Sequence, residues 1–351
     1  MYSGFFFLLL PCCSHSLSFE PLACLLRVCV CAGNAVPIPG IGWLDRIAAP
    51  ETLYTVDNVT YSSVYSAMME GKPLEHPCRN FNAYVNSYFF SPGVAALVSQ
   101  RTGLKAAHYL LCYLRNFVGA MIVYYGVGLL FHYHCYIHPR AKRIFAERPM
   151  PTSEVIWDQI GLAQKSMFLY VVYTTVDEFL IEEGYTQIYS TIDEIGGWFN
   201  YIFFTAIYFA CVEVGIYWMH RTLHTNKFLY KHIHLRHHKY KTPETLTPWA
   251  SIAFHPLDGI LQACPYTLVM PFVPCHFLTH FGLLFFTAIW ATYIHDAMDW
   301  NVDPIMGSKY HTVHHTHYMY NFGQVFTFCD RIWGTFREPE GPTGIKTKKS
   351  Q

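Results

Sequence analysis

Histidine is the residue type in this chain best placed to do chemistry. There are 20 histidines in 351 residues, and their spacing matters more than their number. His220 and His224 form an HxxxH pair, and on an α-helix residues four apart share a face, so both imidazoles can reach one ion. His234, His237 and His238 form an HxxHH, and His311, His314 and His315 form another. In each HxxHH the first and second histidines are expected to share a face. The adjacent third points about 100° away and can serve a second ion. Eight clustered imidazoles exceed one coordination sphere and predict two metals. The isolated His232, His276, His280 and His317 are read as ordinary hydrogen-bonded residues.

Imidazole suits zinc, copper, iron and nickel alike, so ligand type leaves the metal open. A single catalytic zinc uses about three protein ligands, and an HExxH is missing because Arg221 follows His220. Carboxylate-bridged di-iron bundles rely on Glu and ExxH, which do not occur at the matching places. Two irons in a histidine-dominated site fit a reaction that must activate O2.

The elements that position these histidines are apolar. The chain is 52% hydrophobic and 14% charged, against about 25% charged in an ordinary soluble domain, and its mean hydropathy is +0.18. Twenty-four basic residues balance 24 acidic ones, which gives nucleic acid no basic surface to bind. Residues 117–137 are long enough to cross a bilayer. Residues 162–181 form a weaker candidate, interrupted by Gln164, Lys165, Asp177 and Glu178. A third span covers 197–219. The apolar block 257–294 is too long for one crossing and contains Pro265, Pro271 and Pro274, so it is expected to form a helical hairpin returning to its own side.

Charge asymmetry orients the spans. Arg140, Lys142, Arg143 and Arg148 lie in one loop, and Arg221, Lys227, Lys231, Arg236, Lys239 and Lys241 follow the third span. The loop 182–196 carries Glu182, Glu183, Asp193 and Glu194 without a basic residue. The positive-inside rule then puts the histidine-bearing span ends in the cytosol. The expected fold is an all-α membrane protein with about four transmembrane helices or hairpins, capped by a cytosolic helical histidine-rich metal domain. Residues 1–100 are read as an N-terminal extension, either a targeting segment or poorly ordered. They hold apolar runs at 5–10 and 22–31 and a sequon at Asn58, and 36–100 lacks sustained periodicity. Residues 101–340 form the membrane domain, and 341–351 a tail. The 12 cysteines are scattered, several in apolar stretches (Cys112, Cys135, Cys211, Cys264, Cys275), and are read as reduced and structural.

The HxxxH, HxxHH, HxxHH series resembles that of the membrane fatty acid hydroxylase superfamily, and residues 215–337 are similar to the sterol C5-desaturases within it. The stretches that carry the likeness are 220–224 (HRTLH), 253–262 (AFHPLDGILQ), 294–296 (IHD), 307–315 (GSKYHTVHH), 321–324 (NFGQ) and 330–337 (DRIWGTFR). The resemblance implies a metal set of His220, His224, His234, His237, His238, His311, His314 and His315, with His295 as a ninth member. It places His255 behind the ligands. Related hydroxylases carry a further histidine where this chain has Asp299. By the same likeness the cofactors are two iron ions, which zinc can replace in recombinant protein, and O2 is the co-substrate. The implied reaction removes two hydrogens from a Δ7-sterol, with electrons from cytochrome b5 and its NADH-dependent reductase, in the endoplasmic reticulum membrane. Lys348 and Lys349 near the C-terminus fit a dilysine retrieval signal for that compartment. Competing readings are a C4-methyl sterol oxidase or lipid hydroxylase with the same site, and a histidine-rich metal transporter. A transporter calls for ionisable residues within its spans, whereas these histidines sit at span ends.

Overall fold

The computed structural model describes residues 54–56, 59–61, 64–68, 77–139, 141, 145, 149–242, 244–296 and 302–339. The apolar runs at 5–10 and 22–31, Asn58, Arg140, Lys142, Arg143, Arg148, Asp299, Lys348 and Lys349 lie outside them. The chain divides into Met1–Gly42 and Trp43–Gln351, and all the described residues belong to the second unit.

Two short strands, β1 (Tyr54–Val56) and β2 (Val59–Tyr61), pair antiparallel. Three helices follow: α1 (Val64–Met68), α2 (Pro77–Phe89) and α3 (Pro92–Thr102). Helices α2 and α3 form where the sequence shows no sustained apolar period. Ser91 caps α3 by accepting the Val94 N–H at 3.4 Å, with Pro92 in the first turn. The sequence hides α2 because its buried positions include polar residues, Asn82 and Asn86, which break the apolar period on which a helix is recognised.

Gly103, at φ 82°, turns α3 into the long helix α4 (Leu104–His132), which a wider turn prolongs through Ile137. Next come α5 (Ser153–Glu182), β3 (Ile188–Tyr189), α6 (Trp198–Thr225) and the short α7 (Lys227–His232). A 3-10 turn over His234–Lys239 leads to another at Pro248–Ala250. The hairpin expected over 257–294 is present as α8 (Pro256–Val269), β4 (Cys275–His276) and α9 (Phe277–Ile294). Two short helices, α10 (Ser308–His317) and α11 (Phe328–Ile332), close the described chain.

Three segments are long and apolar enough to cross a membrane: Leu104–Ile137, Trp198–Thr225 and Phe277–Ile294. The 30-residue α5 is about 45 Å long, ample for a bilayer core of about 30 Å. The acids Asp177, Glu178 and Glu182 turn inward, as do Gln159 and Ser166, whereas Lys165 is exposed. These buried polar groups lower the span's hydropathy. Arg115 of α4 pairs with Glu178, and His108 Nε2 lies 3.0 Å from both Glu182 oxygens. Asn82 of α2 donates to Glu182 Oε1 at 2.8 Å, tying three helices together through paired groups.

The hairpin fixes which ends meet. Its tip lies against β3, through the parallel β3–β4 pair and the Gln187 N–H to Met270 carbonyl bond (2.8 Å). One apolar cluster fills the space between α6, α8 and α9, with Tyr208, Val212, Ile216, Tyr266, Met270 and Phe277 buried. A second joins α4, α5 and the Pro248–Ala250 turn around Tyr124, Met167, Val171 and Trp249. Both ends of the hairpin return to the C-terminal end of α6, where the histidines are. Among the described residues the cysteines 112, 211, 264, 275 and 329 form no disulfide.

Candidate metal centre

The nine expected histidines converge from four places in the chain. His220 and His224 come from the last turns of α6, and His234, His237 and His238 from the 3-10 turn after α7. His295 caps the end of α9, and His311, His314 and His315 lie on α10. All nine are buried. They sort into two groups whose ring nitrogens lie within 4.8 Å of one another: His220, His224, His234, His238 and His314 in the first, His237, His295, His311 and His315 in the second.

The sorting corrects the expectation that the first and second histidines of each HxxHH work together. In both motifs the first and last share a group, and the middle one crosses to the other. On α10 the reason is angular. At 100° per residue, His315 lies about 40° from His311 on one side and His314 about 60° on the other, so His314 and His315 diverge by about 100°. The 234–239 segment is a 3-10 turn, in which residues three apart eclipse but stand about 6 Å apart along the axis. His234 and His237 there face two different groups.

Four of the imidazoles have their tautomer fixed from outside. Each donates its Nδ1–H to an oxygen that can only accept: His234 to Asp258 Oδ2 (2.8 Å), His220 to the Phe322 carbonyl (3.0 Å), His314 to the Tyr320 carbonyl (2.8 Å) and His295 to the Ala291 carbonyl (2.6 Å). Their Nε2 lone pairs therefore face the groups. This outer bond is the arrangement that orients a metal-binding histidine and raises its basicity.

The Nε2 atoms crowd together. His238 Nε2 is 3.1 Å from those of His224 and His234. His311 Nε2 is 3.1 Å from those of His295 and His315, and His295 Nε2 is 3.3 Å from that of His237. The Nε2 atoms of His220 and His314 have no hydrogen-bond partner, nor do the Nδ1 atoms of His224, His237, His238, His311 and His315. A neutral imidazole has one proton, so no tautomer choice satisfies such a set by hydrogen bonds alone. A shared cation in each group accounts for the converging Nε2 atoms, and the residues present fit two metal ions. Burial and the neighbouring rings push His237, His238, His311, His314 and His315 well below their ordinary pKa, and burial lowers His295 to about 4. These rings are neutral at pH 7, as ligands must be.

Aromatic rings close the centre. Phe322 packs on His220, His224 and His314, and Phe254 on His237. Tyr318 lies 5.2 Å, ring to ring, from His238.

His255 stands apart from both groups. Its Nδ1 accepts the Leu257 N–H at 3.2 Å and caps α8. The group behind a ligand is instead Asp258, three residues on and fully buried, held also by Gln262 Nε2 at 2.8 Å. Asp258 lies within a family-like stretch, where no spacing marks it. Two further carboxylates, Glu213 and Asp330, hold the loop beside the centre. Glu213 had a signal: a lone acid inside an apolar span, two turns before His220 on the same helical face. Asp330 had none, since only the fold brings it to the loop it holds. Burial raises its carboxyl pKa, against the lowering effect of its bonds to Thr335, Gly323 and Phe322. His276, His280 and His317 bond to Ser190, Tyr208 and Val313, and His232 packs on Phe228, as ordinary residues do. Outside this centre, His108, Cys112 and Glu182 also sit within 4.8 Å of one another, inside the paired network of α2, α4 and α5.

Residues 205–335 match the fatty acid hydroxylase family. The chain is 40% identical over 232 residues to the Delta(7)-sterol-C5(6)-desaturase of Nicotiana tabacum, covering 66% of this chain and 85% of that protein. It is 36% identical over 265 residues to the lathosterol oxidase of Rattus norvegicus, covering 73% and 84%. The human lathosterol oxidase is 33% identical over the same length, again covering 73% and 84%. No solved structure matches.

Proposed function

The chain belongs to the sterol C5-desaturases of the fatty acid hydroxylase family, and from that premise we propose that it introduces the C5=C6 double bond into a Δ7-sterol. It is an oxidoreductase and a multi-pass membrane protein. The observation that carries the reading to this chain's own residues is the convergence of nine buried imidazoles into two groups of ring nitrogens.

His220, His224, His234, His238 and His314 would hold one iron, and His237, His295, His311 and His315 the other. Bound there, the two irons would supply the activation of O2 that breaking an unactivated C–H bond requires. The protein's part is geometric and electrostatic. Asp258 and the carbonyls of Ala291, Tyr320 and Phe322 lock four rings with their lone pairs inward. Phe254 and Phe322 exclude water from the rings they cover, and the rest of the aqueous phase is kept out by burial. The substrate loses two hydrogens, O2 goes to water, and cytochrome b5 with its NADH-dependent reductase supplies the electrons.

The basic residues after α6 and the four acids of 182–196 support a cytosolic metal centre, in the endoplasmic reticulum where sterols are made. Residues 101–340 are proposed as the unit that performs the reaction. Expression in a C5-desaturase-deficient yeast tests the whole reading: Δ5,7-sterol should reappear. A hydroxylated sterol in its place, or no Δ5,7-sterol from well-expressed, iron-loaded protein, overturns it. Two irons per purified chain are expected, against none for a transporter stripped of its cargo.

A further inference from the structure

The loop 320–326 hands backbone carbonyls to two histidines of the first group, Tyr320 to His314 and Phe322 to His220. Its own amides converge on two carboxylates. Asp330 accepts the Phe322 N–H on Oδ1 (2.8 Å) and the Gly323 N–H on Oδ2 (2.9 Å). Glu213 Oε2 accepts the N–H groups of Val325 (3.1 Å) and Phe326 (3.2 Å). The loop is too tight for a side chain at its apex: a Cβ at Gly323 would lie 2.2 Å from the Phe326 carbonyl oxygen.

The two carboxylates do different things, and the peptide bond tells them apart. The Gly323 N–H that Asp330 accepts belongs to the same peptide unit as the Phe322 carbonyl that His220 Nδ1–H meets. We propose that Asp330 is a positioning residue for His220, acting through this single Phe322–Gly323 peptide. Negative charge on the N–H side polarises the peptide and strengthens its carbonyl as an acceptor. A stronger acceptor on Nδ1 holds the ring in register and makes Nε2 the better ligand. Glu213 has no such line to a histidine. The peptides it holds carry the carbonyls of Gln324 and Val325, which accept from Trp290 Nε1 (3.0 Å) and the Met306 N–H (2.8 Å). Its role is to anchor the loop to α6.

The inference rests on His220 being a metal ligand, and the test keeps the two apart. Full-length protein in detergent is loaded with cobalt(II), its visible ligand-field bands are recorded, and affinity is measured by competition with EDTA. D330N, which removes the charge and keeps the shape, should weaken binding about tenfold or more and move the bands. E213Q should lower thermal stability and leave the bands in place. T335V keeps the Asp330 carboxylate but deletes the Thr335 hydroxyl that donates to its Oδ1 at 2.7 Å. It should move the bands in the sense opposite to D330N, and it decides the matter if D330N does not fold. Wild-type bands and affinity in D330N, or equal shifts in D330N and E213Q, overturn the relay. A wild-type protein that takes up no cobalt overturns the metal reading beneath it.

Discussion

Asp258 is where a single side chain does most for the centre outside the imidazoles themselves. Its carboxylate fixes His234 Nδ1 as the donor, so removing it leaves a ring free to adopt the other tautomer. Asp258→Ala should cut metal affinity about 10–100-fold by chelator competition. An unchanged affinity would reduce Asp258 to a first-turn residue of α8. His255→Ala, three residues away, removes only a helix cap, with an expected stability loss of about 1 kcal/mol and metal content unchanged. Equal metal loss in the two variants would contradict the geometry. The nine histidines were legible from spacing and resemblance because ligand motifs are local. Asp258 and Asp330 are not legible there, because an acid outside a motif has no spacing; Glu213 shows only as a lone acid inside an apolar span.

Helix contacts in this molecule depend on small residues where backbones approach. A Cβ at Gly215 of α6 would stand 2.6 Å from Pro265 Cβ on α8, and one at Gly128 of α4 would stand 2.5 Å from the Trp249 ring. Gly215→Val is expected to cost about 1–3 kcal/mol by forcing the two helices apart, read as a lower melting temperature in detergent. An unshifted melting curve would mean the contact is slack. The buried pair of Arg115 and Glu178 behaves differently. Glu178→Ala leaves the guanidinium without its carboxylate in a dry interior, at a cost of about 3–5 kcal/mol. Wild-type stability in that variant would show water reaching the pair. Such pairing explains why α5 is a weak span by hydropathy, which averages every residue alike, whereas Glu178 and Glu182 face partners on α2 and α4. The HxxHH partition is likewise a matter of helix type, since the 100° step of α10 and the 3-10 turn at His234 distribute rings differently.

Across the whole molecule, two opposed ends carry opposite charge, with the histidine centre at one and the acidic 182–196 loop at the other. A glycosylation sequon inserted at 186–187 should be modified in microsomes, and one inserted at 226–227, beside the histidines, should not; the reverse pattern would invert the topology. The sequence by itself determined the membrane class and pointed to the histidine set, because apolar length and ligand spacing are properties of consecutive residues. It also determined the hairpin, through prolines inside an apolar block too long for one crossing. Only the tertiary structure decided which five and which four histidines belong together. It alone brought Asp258 to His234, and the 320–326 loop to His220 and His314. Those pairings join residues 24, 102 and 6 positions apart. No local period encodes such contacts, and they set which nitrogen His220, His234 and His314 turn toward their group.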